Sequence, residues 1–356
     1  MAGQCDSNTE LGFVEKVDWF KLKSIFFPSK VGGKPAWLSQ NTIPSLENLT
    51  CCKCGKLMLF LLQVYAPREE KEECFHRTIY VFICRNGDCY SKNSNVSFKS
   101  FRCQLPRKND FFSYEPLAND LESHRVIELE EELRKKWGPL CHVCGYRGDK
   151  RCAACKIATY CSKEHQVNHW KNGHKLKCSV QKSNESDVTP DLPTKLLLPE
   201  YEIVTEPEVR DEDDDCQTPL EEPNTNAYKD NKNEQLAEEA FAEVSDKQFE
   251  KFKKDISKDP DQVLRYQYGG DPLWVASEHQ AKSSDIPKCS CGASRVFEFQ
   301  VLPQLLNHLD VDSLCGGIDF GTLVIFTCSD NCTLSTSYAQ EFVWKQDFSD
   351  THIKFK

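Results

Sequence analysis

No apolar run in this 356-residue chain approaches the length of a bilayer span, so a membrane-crossing helix is not expected. No hydrophobic stretch near Met1 reads as a secretory leader. Positive charge is not in excess either: 45 Lys and Arg stand against 55 Asp and Glu, a net charge of −10. A general nucleic-acid surface needs a basic face to neutralise phosphates. The balance here points to basic protein partners instead, and nucleic acid is not expected as a ligand. Catalytic signatures are missing too. The sequence has no phosphate-cradling glycine loop, no nucleophile elbow, and no paired metal-binding histidines with an adjacent glutamate. Lys30-Val31-Gly32-Gly33 is too short for a P-loop, and its glycines fit a tight turn before Trp37 that needs φ above zero. An enzyme is not expected.

Cysteine, by contrast, is abundant, at 20 residues. Without a secretory route these are better read as thiolates on metal than as disulfides, in the cytosol or nucleus. The sequons at Asn48 and Asn331 are then chance. The densest group falls in four pairs, Cys141/Cys144, Cys152/Cys155, Cys161/His165 and His174/Cys178. Eight soft ligands in 38 residues match the demand of two tetrahedral zinc ions. The last two pairs have four-residue spacing, which puts both members on one helical face. So short a segment rarely holds its own core, and metal substitutes for one. Neighbouring pairs lie only a few residues apart, which favours a cross-brace over tandem sites. Cys141, Cys144, Cys161 and His165 then hold one ion, and Cys152, Cys155, His174 and Cys178 the other. His142 and His169 read as bystanders, with His169 the substitute if His165 is not a ligand.

A self-comparison reveals a repeat. Gly32-Gly33-Lys34-Pro35-Ala36-Trp37-Leu38 recurs as Gly269-Gly270-Asp271-Pro272-Leu273-Trp274-Val275. Trp37 and Trp274, Cys54 and Cys291, and Gln63 and Gln300 are each 237 residues apart. Leu57–Tyr65 and Thr78–Cys84 read as buried strands, with Val296–Leu302 and Thr322–Thr327 as their counterparts. Each copy has cysteines before its first strand and after its second. A further zinc in each half would use Cys51, Cys54, Cys84 and Cys89, and Cys289, Cys291, Cys328 and Cys332. The alternative is that these are buried apolar cysteines. The repeat register aligns Cys52 with Cys289, so Cys52 stays a rival to Cys51. A redox reading of Cys51 and Cys54 would need a thioredoxin-like βαβ context, which the sequence lacks.

The fold class expected is α+β, mainly β. Residues 1–120 and 234–356 form duplicated β-rich halves, 121–140 a connecting helix, 141–178 the finger, and 179–233 an acidic linker. From Glu185 to Glu222 there are 14 acidic residues against Lys195 and Arg210, so the linker is expected to be disordered. Leu196–Ile203 is an apolar island within it that can dock as a short strand. Asp246 is a candidate N-cap for an amphipathic helix carrying Phe249, Phe252 and Ile256.

Tyr160-Cys161-Ser162, Gln166, Trp170, His174-Lys175 and Cys178 resemble a MYND-type finger. One departure is His165, where that family more often has cysteine. The resemblance implies that Gln166 and Trp170 line a groove for proline-containing peptides, such as those of transcriptional corepressors. Further segments are Leu11-Gly12-Phe13, Pro28–Leu38, Gln104–Phe111 and Glu341–Gln346. Together with the finger they resemble the programmed cell death protein 2 family over nearly the whole chain outside the acidic linker. Membership implies a dedicated chaperone that captures one basic small-subunit ribosomal protein (S-two, universal name S-five) and supports 40S assembly. An acidic binder would shield such a client by strand addition and by charge, with the client between the halves or along a sheet edge. The protein is expected to be a monomer in cytoplasm and nucleus.

Overall fold

The computed structural model describes residues 9–118, 121–180, 196–209, 246–309, 317–333 and 337–349. The strands in chain order are β1 (Glu10–Glu15), β2 (Lys30–Val31), β3 (Leu59–Tyr65), β4 (His76–Ile83), β5 (Phe98–Leu105), β6 (Lys150–Arg151), β7 (Thr159–Tyr160), β8 (Tyr201–Pro207), β9 (Leu264–Tyr266), β10 (Arg295–Val301), β11 (Thr322–Cys328) and β12 (Tyr338–Gln346). Ten of them close an antiparallel barrel in the order β1-β8-β2-β3-β4-β5-β12-β11-β10-β9, and β6 and β7 pair separately. The molecule is therefore mostly β, with few helices.

Strand β4 shows why the barrel forms. It is buried along its whole length. Ile79, Val81 and Ile83 face inward, joining Leu62, Val64, Phe299, Val301, Leu323, Ile325 and Val343. Tyr80 and Phe82 alternate to the outer face, where they meet Trp37, Met58 and Phe60. A strand covered on both faces reads as one continuous apolar run. Each large side chain so buried contributes about 1.5–3 kcal/mol.

The two arms correspond closely. Strand β3 has a register shift between Phe60 and Leu62, and β10 has one between Phe297 and Phe299. Such bulges add the local twist that helps a sheet curl. Gln63 accepts from the Ala36 N–H at 2.9 Å, and Gln300 accepts from the Leu273 N–H at 2.6 Å. Gly32 and Gly33 turn with φ of 63° and 64°, as the sequence requires.

Three sequence expectations need correction. The halves at 1–120 and 234–356 are interlocked within one barrel. Strand β1, which precedes the first arm, pairs with β9 of the second, while β8, which precedes the second arm, pairs with β2 of the first. The two exchanged strands also pair with each other, from Glu10–Pro207 to Glu15–Glu202. Closure leaves the barrel itself no open sheet edge, among the described residues, for client strand addition. The 179–233 linker is not disordered throughout: its apolar island Leu196–Ile203 docks as expected and leads into β8, with Leu198 and Ile203 in the interior core. Residues 181–195 and 210–233 of that linker lie outside the described residues.

The helices are α1 (Ser123–Lys136), α2 (Lys163–His169), α3 (Lys175–Val180) and α4 (Lys247–Lys258). Helix α1 is the connecting helix and packs Val126 and Leu133 against Ile25 and Trp137. Helix α4 starts at Asp246, whose Oδ1 accepts from the Gln248 N–H at 2.9 Å, and buries Phe252 and Ile256. The finger is seated on the outer face of the first arm. Trp37 Nε1 donates to Gly145 O at 2.7 Å, and Tyr146 donates to Met58 O at 3.0 Å. Tyr146 is buried against Trp37 and Phe82.

Candidate metal centres

Four clusters each bring four thiol or imidazole groups within 4.8 Å of one another. Two lie in the finger: Cys141, Cys144, Cys161 and His165, and Cys152, Cys155, His174 and Cys178. The alternation of pairs is the cross-brace expected from spacing. Turns present the first pair of each: Gly145 N–H donates to Cys141 O and Lys156 N–H to Cys152 O, both at 2.9 Å. Helix α2 positions His165, and Ser162 caps that helix by accepting from the His165 N–H at 3.1 Å. A break at Asn172 and Gly173 then redirects the chain so that His174 and Cys178 face the second cluster.

The other two lie on the barrel arms: Cys51, Cys54, Cys84 and Cys89, and Cys289, Cys291, Cys328 and Cys332. In each, a short turn before the first long strand supplies two cysteines, and the end of the next strand with its following loop supplies two. Cys52 is excluded from the first cluster. It is exposed, and its sulfur faces Val96 O at 3.8 Å.

The donor sets fit zinc. With Zn–S near ~2.3 Å in a tetrahedron, neighbouring sulfurs stand about 3.8 Å apart, and a sulfur–nitrogen pair slightly closer. Observed Sγ–Sγ separations are 3.6 Å for Cys144–Cys161, 3.7 Å for Cys152–Cys178, 3.6 Å for Cys54–Cys84, 3.7 Å for Cys289–Cys332 and 3.6 Å for Cys291–Cys328. Cys141 and Cys155 lie 3.5 and 3.6 Å from the ring nitrogens of His165 and His174. None of these contacts is a disulfide, and all these cysteines are free thiols.

Local fields lower one thiol in three of these sets and raise its neighbours: burial pushes up Cys84, Cys89, Cys178, Cys328 and Cys332. Burial pushes the Cys54 thiol up, but the Lys56 backbone N–H and the neighbouring sulfurs outweigh it and hold it down at about 7. Cys289 is held at about 7 against burial by the Cys291 backbone N–H and sulfurs, and Cys152 at about 6 by the Cys155 backbone N–H and His174. The thiolate is the metal-binding form, and one thiol of each of these three sets is held toward it by a turn N–H.

His142 and His169 join no cluster. Thr159 N–H donates to His142 Nδ1 at 3.1 Å, and Tyr160 Oη lies 2.9 Å from His169 Nδ1. The His169 ring stacks on His174 at 4.8 Å. Both are supports around the clusters. Gln166 sits half-buried on α2, and Trp170 is 38% exposed with its edge against His174. Sequence reasoning missed the groups around the second arm's cluster: Lys71, Cys74, Arg102 and Gln104 from the first arm. Phe98–Leu105 was not read as a strand, and the alternation of Ser100, Arg102 and Gln104 with Phe101 and Cys103 was the available signal.

Comparison with known proteins gives a consistent result. The family model for the programmed cell death protein 2 N-terminal domain matches residues 8–119, the one for its C-terminal putative domain 246–347, and the MYND finger model 141–178. Programmed cell death protein 2 of Bos taurus is 45% identical, covering 98% of this chain and 99% of its own. The Rattus norvegicus protein of the same name is 42% identical, covering 99% and 100%. A Schizosaccharomyces pombe relative called "Probable 20S rRNA accumulation protein 4" is 25% identical, over 85% of this chain and 87% of its own. No solved structure matches the chain. By near-full-length identity, the chain belongs to the programmed cell death protein 2 family.

Proposed function

We propose that this protein is a non-enzymatic, zinc-binding chaperone that captures a basic small-subunit ribosomal protein and supports 40S biogenesis in cytoplasm and nucleus. The observation that carries this reading is the fission-yeast relative named for 20S rRNA accumulation, whose alignment covers 85% of this chain. The net charge of −10 supports a basic client. Zinc would be held by the two finger sets and by the two barrel sets, which descend from a duplicated module. Each set offers four protein ligands, the structural pattern, whereas a catalytic zinc keeps one position open. Bound zinc would supply folding energy to segments with little core of their own. With the barrel closed, client capture would rest on charge complementarity rather than on strand addition.

A second reading is a finger-centred scaffold for proline-containing corepressor peptides. Four of the seven exposed large apolar side chains among the described residues are Ile157, Val167, Trp170 and Leu176, all on the finger. Full-length protein carrying Gln166→Ala or Trp170→Ala separates the readings. The chaperone reading expects undiminished co-purification of the ribosomal client and normal 40S levels. Lost client capture, or client capture intact with depletion leaving 40S levels unchanged, would contradict it.

A further inference from the structure

The two barrel clusters have matching ligand geometry but different neighbours. Around Cys84 and Cys89, the supporting bonds come from the same arm: Lys53 Nζ to Asp88 O at 2.8 Å, Tyr90 to Cys84 O at 2.7 Å, and Ser97 to Cys89 O at 2.9 Å. The turn carrying Cys332 is held from across the barrel. Arg102 of β5 donates from Nη1 to Cys332 O at 3.4 Å and from Nη2 to Cys332 Sγ at 3.6 Å. Gln104 Nε2 donates to Cys332 O at 3.2 Å, Lys71 Nζ to Asn331 O at 3.1 Å, and Cys74 Sγ to Asn331 O at 3.7 Å.

Arg102 is fully buried, and its Nε donates to Glu341 Oε1 at 2.8 Å on β12. The other oxygen of Glu341 takes Arg295 Nε at 2.8 Å. One guanidinium thus spans a cluster sulfur and the carboxylate beside the β5–β12 seam. That seam, where the two arms pair directly, has only four registered pairs, Tyr338–Cys103 to Glu341–Ser100. At the corresponding end of β12, Lys345 Nζ reaches Ser91 O at 3.4 Å and Asp347 at 2.6 Å, with no contact to a cysteine sulfur.

A site of four thiolates around one divalent ion carries a net charge of about −2, and a buried cation donating to one sulfur offsets part of it. We propose that the Cys289–Cys332 site is a metal latch between the two arms, with Arg102 as its positioning residue and Lys71 and Gln104 as supports. Resting on the four-zinc reading above, the latch makes closure of the seam depend on this one metal, and retention of this metal depend on the first arm. The second arm meets the Cys51–Cys89 site through the loop that follows Cys89, where Asn93 and Asn95 bond Asp347 and Lys345, so this metal would bear less on the seam.

Full-length protein tests this with two readouts, zinc release to a colorimetric chelator and hydrogen exchange of β5 and β12 amides. Wild type is expected to hold four zinc ions. Arg102→Gln should release one of the four about 10-fold faster, the low end for loss of an outer-shell partner. Lys71→Ala, at a half-buried position that tolerates truncation, should accelerate the same ion in the same direction. Cys332→Ser and Cys89→Ser should each lose one ion, but Cys332→Ser should speed exchange along the β5–β12 seam the more. Equal exchange in the two cysteine variants, or unchanged release in Lys71→Ala and Arg102→Gln, would overturn the latch. A wild-type chain holding two zinc ions would overturn the four-site reading instead.

Discussion

The two arms of the barrel share a hairpin, a bulge and a four-cysteine cluster, yet what lies outside each arm differs. On the first, Trp37 is fully buried beneath the finger and donates to Gly145. On the second, the matching Trp274 is half-buried among Phe297, Phe326, Phe342 and Trp344, with Ala281 and Ile286 of a local loop beside it. The finger is therefore the outer wall of one arm, and removing residues 141–178 would strip a core. Similar local sequence gave similar local structure, and the partner that covers it decided the energetics.

The largest test of this contrast uses the shared glycines. A Cβ on Gly32 would stand 1.8 Å from Pro199 O, while one on Gly269 meets nothing within 4 Å. Both have positive φ, 63° and 74°. Gly32→Ala should destabilise by more than about 4 kcal/mol, in the range reserved for backbone overlap and strain. Gly269→Ala should cost only about 1–2 kcal/mol, the left-handed penalty alone. Urea unfolding of both variants checks this, and equal effects would dissolve the contrast.

The contact between the arms through the barrel interior comes next. Arg77 and Glu298, one from each arm, form a fully buried bidentate pair with both contacts at 2.7 Å. Burial opposes both charges, but each partner outweighs it, raising the arginine and lowering the carboxylate. Glu298→Ala should cost about 3–5 kcal/mol by stranding Arg77, whereas replacing both with apolar residues of similar volume should cost little or nothing. Thermal unfolding of the single and double variants reads this directly. Trp37→Ala should cost about 3–5 kcal/mol as a buried aromatic, and Trp274→Ala roughly half of that.

The smallest effect is on pH. Burial, aided by Arg107, pushes His76 of the first arm down to about 4. The unfolded chain takes up this proton near pH 6.5, before the folded one does. Stability from His76 is thus complete above pH 6.5 and is lost as pH falls from there toward 4. Glu298, lowered below the usual carboxylate range, adds a loss in the same direction at lower pH. His76→Gln should flatten the slope between pH 6.5 and 4 in unfolding midpoints and leave the lower limb unchanged.

The four cysteine and histidine groupings and the hairpins were legible because they depend on spacing along a few tens of residues. The 237-residue repeat also exposed which strands correspond, and Asp246 marked its helix correctly. The exchange of β1 and β8 was not legible. The apolar island ending at Ile203 marked a docking strand, but its pairing with β1 and β2 is non-local and no pattern in Tyr201–Pro207 names those partners. Arg102 and Glu341 were missed because their pairing spans 239 residues and follows from barrel closure rather than a local pattern. Treating the arms as separate modules followed from the same blindness to non-local pairing.

Native mass spectrometry of the full-length chain, before and after acid release of metal, tests the central claim most directly. The account predicts a mass difference of four zinc ions per chain, one for each four-ligand cluster. A difference of two, confined to the finger, would contradict it and leave the barrel cysteines as buried apolar thiols.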